Sequence, residues 1–170
     1  MGAAPLDGRH IEMNTVPDCY SCRQESLGNE APLRQRIVRT AHWRVAHAFN
    51  SALEGWLVVL PRRHITSVDQ LSDEESAELG TLVRNVAVAL RDELGERCVK
   101  TYVMQFSEAE GFHHLHFHVV PRAHDLAEEH RGPRIMHFLQ QPEEDWVSQE
   151  RQEKLSDALS ARCQRRTGTM

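Results

Sequence analysis

Apolar residues recur along this chain with two periods. Over residues 42–49, Trp43, Val45, His47 and Phe49 share one parity, the mark of a strand, and residues 36–40 suggest another strand across a short turn. Residues 56–60 are a continuous apolar run of strand length, ended by Pro61. The period then changes. Leu79, Leu82, Val83, Val86 and Leu90 fall three or four apart and make the stripe of an amphipathic helix. Ser72 with Glu75 three positions on is a capping-box pattern, Asp73 and Glu74 suit the positive end of the helix dipole, and Gly95 is placed to stop the helix. Residues 99–106 read as a strand, 108–111 as a tight polar connection and 114–120 as the next strand, which together predict an antiparallel hairpin. Residues 122–141 read as irregular. A polar helix follows, from about position 142 or 148 to 162, anchored by Trp146, Leu155 and Leu159. With strands in the centre and one long helix inserted among them, the class is α+β with a mainly antiparallel sheet.

The length of 170 residues is enough for one domain with its own core. A composition of 40% hydrophobic and 26% charged residues is ordinary for a globular protein, so it singles out no special class. A net charge of -5 argues against extended nucleic-acid binding through a basic surface, but leaves room for a small, locally positive phosphate site. No apolar run approaches a membrane span. Residues 1–11 lack the basic start and apolar core of a secretory signal, and Leu6 stands where myristoylation requires Ser or Thr. The expected location is the cytoplasm, with the four cysteines reduced, metal-bound or simply buried.

The stretch His114-Leu115-His116-Phe117-His118-Val119-Val120 turns the question from fold to chemistry. On a strand, its alternation puts three imidazoles on one face. Packing gives no reason for that arrangement. Chemistry does, because imidazole near neutral pH serves as nucleophile, proton donor or metal ligand. A three-histidine metal site is one alternative, although the outer rings would start about 13 Å apart. Followed by Pro121-Arg122, and preceded by the segment Trp56-Leu57-Val58-Val59-Leu60-Pro61-Arg62-Arg63-His64-Ile65, this stretch resembles the histidine triad (HIT) family over roughly residues 19–122. Within that family it is similar to the diadenosine polyphosphate hydrolase branch. The resemblance implies a half-barrel of about five antiparallel strands with one long helix and a C-terminal helix, usually paired as a homodimer. It divides the chain into a flexible tail over residues 1–15, a HIT domain over 16–131 and a partly helical extension over 132–170.

The resemblance also implies a nucleotide hydrolase that cleaves a nucleoside polyphosphate or nucleotide phosphoramidate at the α-phosphate, with adenine as the expected base. Neutral imidazole attacks an anionic phosphoryl group without charge repulsion and forms a nucleotidyl-histidine that water then cleaves. By motif position His116 is the nucleophile, its other ring nitrogen held by a backbone carbonyl, and His118 supplies a proton or positive charge to the same phosphate. The hexose-1-phosphate uridylyltransferase branch carries Gln where His118 stands, which favours hydrolysis here; a phosphorylase or nucleotidyltransferase, or a nucleotide-binding module with little turnover, are the alternatives.

Cys19-Tyr20-Ser21-Cys22 is a Cys-x-x-Cys, ambiguous by itself between metal ligands and two reduced thiols on a loop. Some branches of the family complete a tetrahedral, structural zinc site with the histidine after Pro-x-x and the first triad histidine, here His64 and His114. Cys98 and Cys163 are expected as small buried thiols, and His113 as a partly exposed histidine. The family's ribose contact falls on Asn50, for which turn capping is the alternative. Its polar phosphate contacts fall on Gln105 and Ser107, although the usual Gly-Gln before the triad is absent. Arg62, Arg63 and Arg122 read as anion-attracting or as solvated surface.

Overall fold

The structure is a computed structural model that describes residues 16–167; the tail expected over residues 1–15 lies outside them. Five strands, β1 (Val38–Arg39), β2 (Trp43–His47), β3 (Leu57–Pro61), β4 (Lys100–Gln105) and β5 (Phe117–Arg122), form one open sheet in the order β1-β2-β3-β5-β4. Every neighbouring pair is antiparallel. Three α-helices accompany it: α1 (Tyr20–Ser26), α2 (Asp73–Leu94) and α3 (Gln149–Thr167). Because α2 separates β3 from the β4–β5 hairpin, β5 returns to lie beside β3, and β4 becomes an edge.

Antiparallel register assigns the two faces. Ala46 stands opposite Val58, Val58 opposite His118, and His118 opposite Met104, so these four cross the sheet on one face. Trp43, Val45, Leu57, Val59 and Val119 lie on the other, against Leu82, Val86, Ala89 and Leu90 of α2 and Leu155 and Leu159 of α3. Each such large side chain contributes about 1.5–3 kcal/mol by leaving water. Cys98 and Cys163 are buried in this same cluster. A second, smaller cluster on the first face gathers Trp56, Val120 and Ile135, with Tyr102, Met136, Phe138 and Leu139 against it. The extension therefore contributes to both cores.

The long helix has the anticipated ends. Ser72 Oγ accepts the Glu75 N–H at 3.2 Å while Glu75 accepts the Ser72 N–H at 2.8 Å, and Gly95 follows with φ of +57°. Gly55, before β3, has φ of +84°, and a Cβ there would sit 2.9 Å from Leu94 Cδ1, so both conformation and space require glycine.

Two expectations change. The Cys-x-x-Cys is helical: Cys19 is the N-cap of α1, which carries Cys22. Its sequence has no apolar stripe, so periodicity could not reveal it. Charge helps to hold it, since buried Glu25 meets Arg39 at 2.6 Å, Arg62 at 2.7 Å and Arg44 at 3.3 Å. The triad strand also starts later than position 114. It begins at Phe117, because Leu115 N–H bonds the Ile65 carbonyl at 2.7 Å and bends the chain off the ladder. His114 and His116 therefore both precede the strand that was expected to carry all three rings, and only His118 lies on it.

Candidate active site and metal cluster

The turn after β3 and the approach to β5 meet beside α1. Arg63 donates to both oxygens of Glu75 at 2.7 Å and so fastens the turn carrying His64 to the cap of α2. At the meeting point His64 Nδ1 lies 3.4 Å from Cys22 Sγ, and His114 Nδ1 lies 3.6 Å from Cys19 Sγ and 3.7 Å from Cys22 Sγ. One ligand atom from each of Cys19, Cys22, His64 and His114 falls within 4.8 Å of the others. His114 donates Nε2–H to the Pro61 carbonyl at 2.8 Å, which leaves its Nδ1 lone pair aimed at the sulfurs. Burial raises the Cys22 thiol and lowers His64 and His114, the latter to about 4, so the two rings are held neutral, as metal ligands must be. Two sulfurs and two imidazole nitrogens at this spacing are consistent with a structural zinc site.

The next two histidines are wired differently. His116 donates Nδ1–H to the His114 carbonyl at 2.8 Å, which leaves Nε2 without a partner among the described residues. Its backbone N–H donates to Ser107 Oγ at 3.0 Å, and Gln105 Nε2 donates to the same oxygen at 3.1 Å. Ser107 adopts φ of +55°, a rare conformation for serine that places its hydroxyl behind His116. His118 stands at right angles to His116, ring centroids 4.7 Å apart, and its Nδ1 accepts the Trp56 indole N–H at 3.0 Å. Burial lowers both rings, His118 to about 3.

Both rings face a cavity of about 340 Å³. Asn50 and Ser107 line it; Gln105 stands behind Ser107. Tyr20, Phe49 and Phe112 make an aromatic wall, with Tyr20 and Phe49 centroids 5.0 Å apart. Met136 and Leu139 close another side from the segment Gly132–Leu139. That segment is tied to the loop after β2, where Ala52 N–H bonds the Phe138 carbonyl at 2.9 Å, and Val147, further along the chain, donates its N–H to the Ser51 carbonyl at 2.9 Å. Sequence reasoning singled out none of these wall residues. Phe49 enters only the strand pattern, Tyr20 and Phe112 stand singly outside the periodic stretches, and the extension lies far from the triad in sequence. Arg62 and Arg63 are absorbed in ion pairs with Glu25 and Glu75, away from the cavity, and His113 is exposed.

Among the described residues no helix is long and apolar enough to cross a membrane. No curated protein sequence matches the chain. Several solved structures share its fold. A Zn-bound histidine triad family protein from Mycobacterium smegmatis is 18% identical with a TM-score of 0.61, over 89% of this chain and 97% of that one. A hypothetical histidine triad nucleotide-binding protein from Sulfolobus tokodaii is 15% identical with a TM-score of 0.61, over 85% of this chain and 93% of that one. A Hit-like protein involved in cell-cycle regulation from Bartonella henselae is 19% identical with a TM-score of 0.60, over 81% and 92%. The family model for the HIT domain matches residues 31–125, more than half of the sequence, and the chain therefore belongs to the HIT family.

Proposed function

We propose that the protein is a nucleotide hydrolase that cleaves a nucleoside polyphosphate or nucleotide phosphoramidate at the α-phosphate through a nucleotidyl-His116 intermediate. One observation carries the reading: the His116 Nδ1–H bond to the His114 carbonyl, which puts the nucleophilic lone pair on Nε2 beside a cavity of nucleotide size. In the first step the Nε2–P bond forms as the bond from phosphorus to the leaving group breaks. In the second, water oxygen bonds to phosphorus, the P–N bond breaks, its electron pair returns to Nε2 and a proton passes to solvent. His118 faces the same phosphoryl group. Asn50 bonds the ribose, and the aromatic wall stacks the base, with adenine the expected one. Ser107 lines the phosphate end and holds His116, and Gln105 acts from behind it by donating to the Ser107 hydroxyl.

The four-ligand cluster binds zinc in this reading. Its role is structural, since His114 is turned away from the cavity toward the sulfurs. Edge strand β4 pairs two copies into a homodimer, supported by exposed Val103 on it and by exposed Val99 and Phe106 flanking its two ends. The expected setting is cytoplasmic.

Incubation of the protein with diadenosine polyphosphates and rapid acid quench tests the reading. A nucleotidyl adduct on His116, found by mass spectrometry, is the expected result. A folded protein that forms no adduct with any nucleotide ester overturns the assignment.

A further inference from the structure

The third triad ring has an unusual partner. Trp56, fully buried at the start of β3, sends its indole N–H 3.0 Å to His118 Nδ1, with the two rings perpendicular and their centroids 5.6 Å apart. Indole nitrogen donates and never accepts. Nδ1 of His118 must therefore keep its lone pair for this bond, and the single ring proton must sit on Nε2. We infer that Trp56 holds His118 in the Nε2–H form, so that it steadies the phosphoryl oxygens as a hydrogen-bond donor but gives no proton to the leaving group, and that the site therefore takes nucleotides whose leaving group is a stable anion, such as phosphate, pyrophosphate or a second nucleotide, and not phosphoramidates.

The chemistry follows from what neutral imidazole can do. An Nε2–H proton is transferable only from imidazolium, and imidazolium needs a second proton on Nδ1. The indole hydrogen occupies that position. Burial lowers the His118 pKa to about 3, with the His116 ring acting in the same direction. Among the described residues no neighbour offsets this. Val58 from β3 and Met104 from β4 flank His118 across the sheet, and Met136 and Leu139 face the same cavity. The charged groups of the cavity are Arg44 from β2, paired with Glu25, and Glu108 in the loop after β4. His116 has its own proton committed to the His114 carbonyl. When Nε2 of His116 bonds to the α-phosphorus, the electron pair of the broken bond thus leaves on an atom that receives no proton from either imidazole. An oxygen of phosphate or pyrophosphate carries it as an anion; an amine nitrogen needs a proton to depart.

This inference rests on the nucleotidyl-His116 reading, and the experiment separates the two. The whole protein is given adenosine 5′-phosphate esters of phenols of graded acidity, a diadenosine polyphosphate and an adenosine phosphoramidate, with turnover and His116 adduct both measured. Expected are a steep rise of kcat/KM with leaving-phenol acidity and a phosphoramidate rate roughly 100-fold or more below the polyphosphate, the size of a missing general acid. Nitrogen-15 spectra should show His118 Nδ1 unprotonated throughout pH 8 to 5. In Trp56→His, where the new ring accepts as well as donates, the phosphoramidate rate relative to the polyphosphate should rise about tenfold or more, a share of the same contribution. A flat leaving-group dependence, equal turnover of phosphoramidate, a proton on Nδ1, or an unchanged ratio in folded Trp56→His overturns the inference while leaving the His116 adduct intact. No adduct from any ester overturns both. If Trp56→His does not fold, the wild-type rates and spectra still decide.

Discussion

His114 and His116 are two residues apart and use opposite nitrogens. His114 gives Nε2–H to the Pro61 carbonyl and turns Nδ1 to the sulfurs; His116 gives Nδ1–H to the His114 carbonyl and keeps Nε2 for the cavity. His114 is fully buried and His116 half-buried, yet burial lowers the pKa of both, so charge state does not separate the proposed metal ligand from the proposed nucleophile. The separation comes from which backbone carbonyl each ring meets. A neutral imidazole has one proton and one lone pair, and the carbonyl that takes the proton decides where the lone pair points.

The largest expected effect breaks this comparison on the catalytic side. His116→Ala should lower turnover roughly 1,000-fold or more and abolish the adduct, while thermal unfolding and metal content stay near wild type. Equal loss of metal would mean that the two sites are not separate. On the other side, Cys22→Ser should lose bound zinc, by elemental analysis, and destabilise the fold by about 3 kcal/mol, a fall in Tm of roughly 6–12 °C. A chelator should act on turnover at the rate of unfolding; instant loss would put the metal in the chemistry.

Acid sharpens the comparison from two further rings. His47 and His118 have pKa values lowered to about 4 and about 3 by burial. The unfolded chain binds protons that these folded rings refuse, so their stabilisation is full above about pH 6.5 and declines as the pH falls toward 4. By pH 5 each should cost about 2 kcal/mol, measurable by denaturant titration. A smaller effect is expected at Ser107→Ala, which leaves the His116 N–H without its acceptor and should cost about 1–3 kcal/mol, with kcat falling more than KM changes. An unchanged kcat would show that Ser107 does not support His116.

Legibility in the sequence followed the length scale of each feature. The capping box, the stripe of α2 and the β4–β5 hairpin are local patterns, and the folded chain shows all three. The four-ligand set came from resemblance, and the geometry brings Cys19, Cys22, His64 and His114 together. Features made by long-range bonds were not legible. One hydrogen bond from Leu115 to Ile65 goes with a β5 that starts past both His114 and His116, and three arginines from separate segments converge on Glu25 to help seat α1. Nothing in the linear apolar run over residues 56–60 marks Trp56 as an indole aimed at a histidine 62 positions away.

The side of the cavity formed by Met136 and Leu139 lies outside residues 31–125, the part that carries the family pattern. Part of the cavity wall is thus encoded apart from the triad, although Phe49 and Phe112 lie in the same stretch as it. On the proposed function, changes at Met136 and Leu139 would reshape one side of the cavity while leaving His116 and His118 in place, whereas the adjacent Ile135 packs with Trp56, whose indole is tied to the third triad ring.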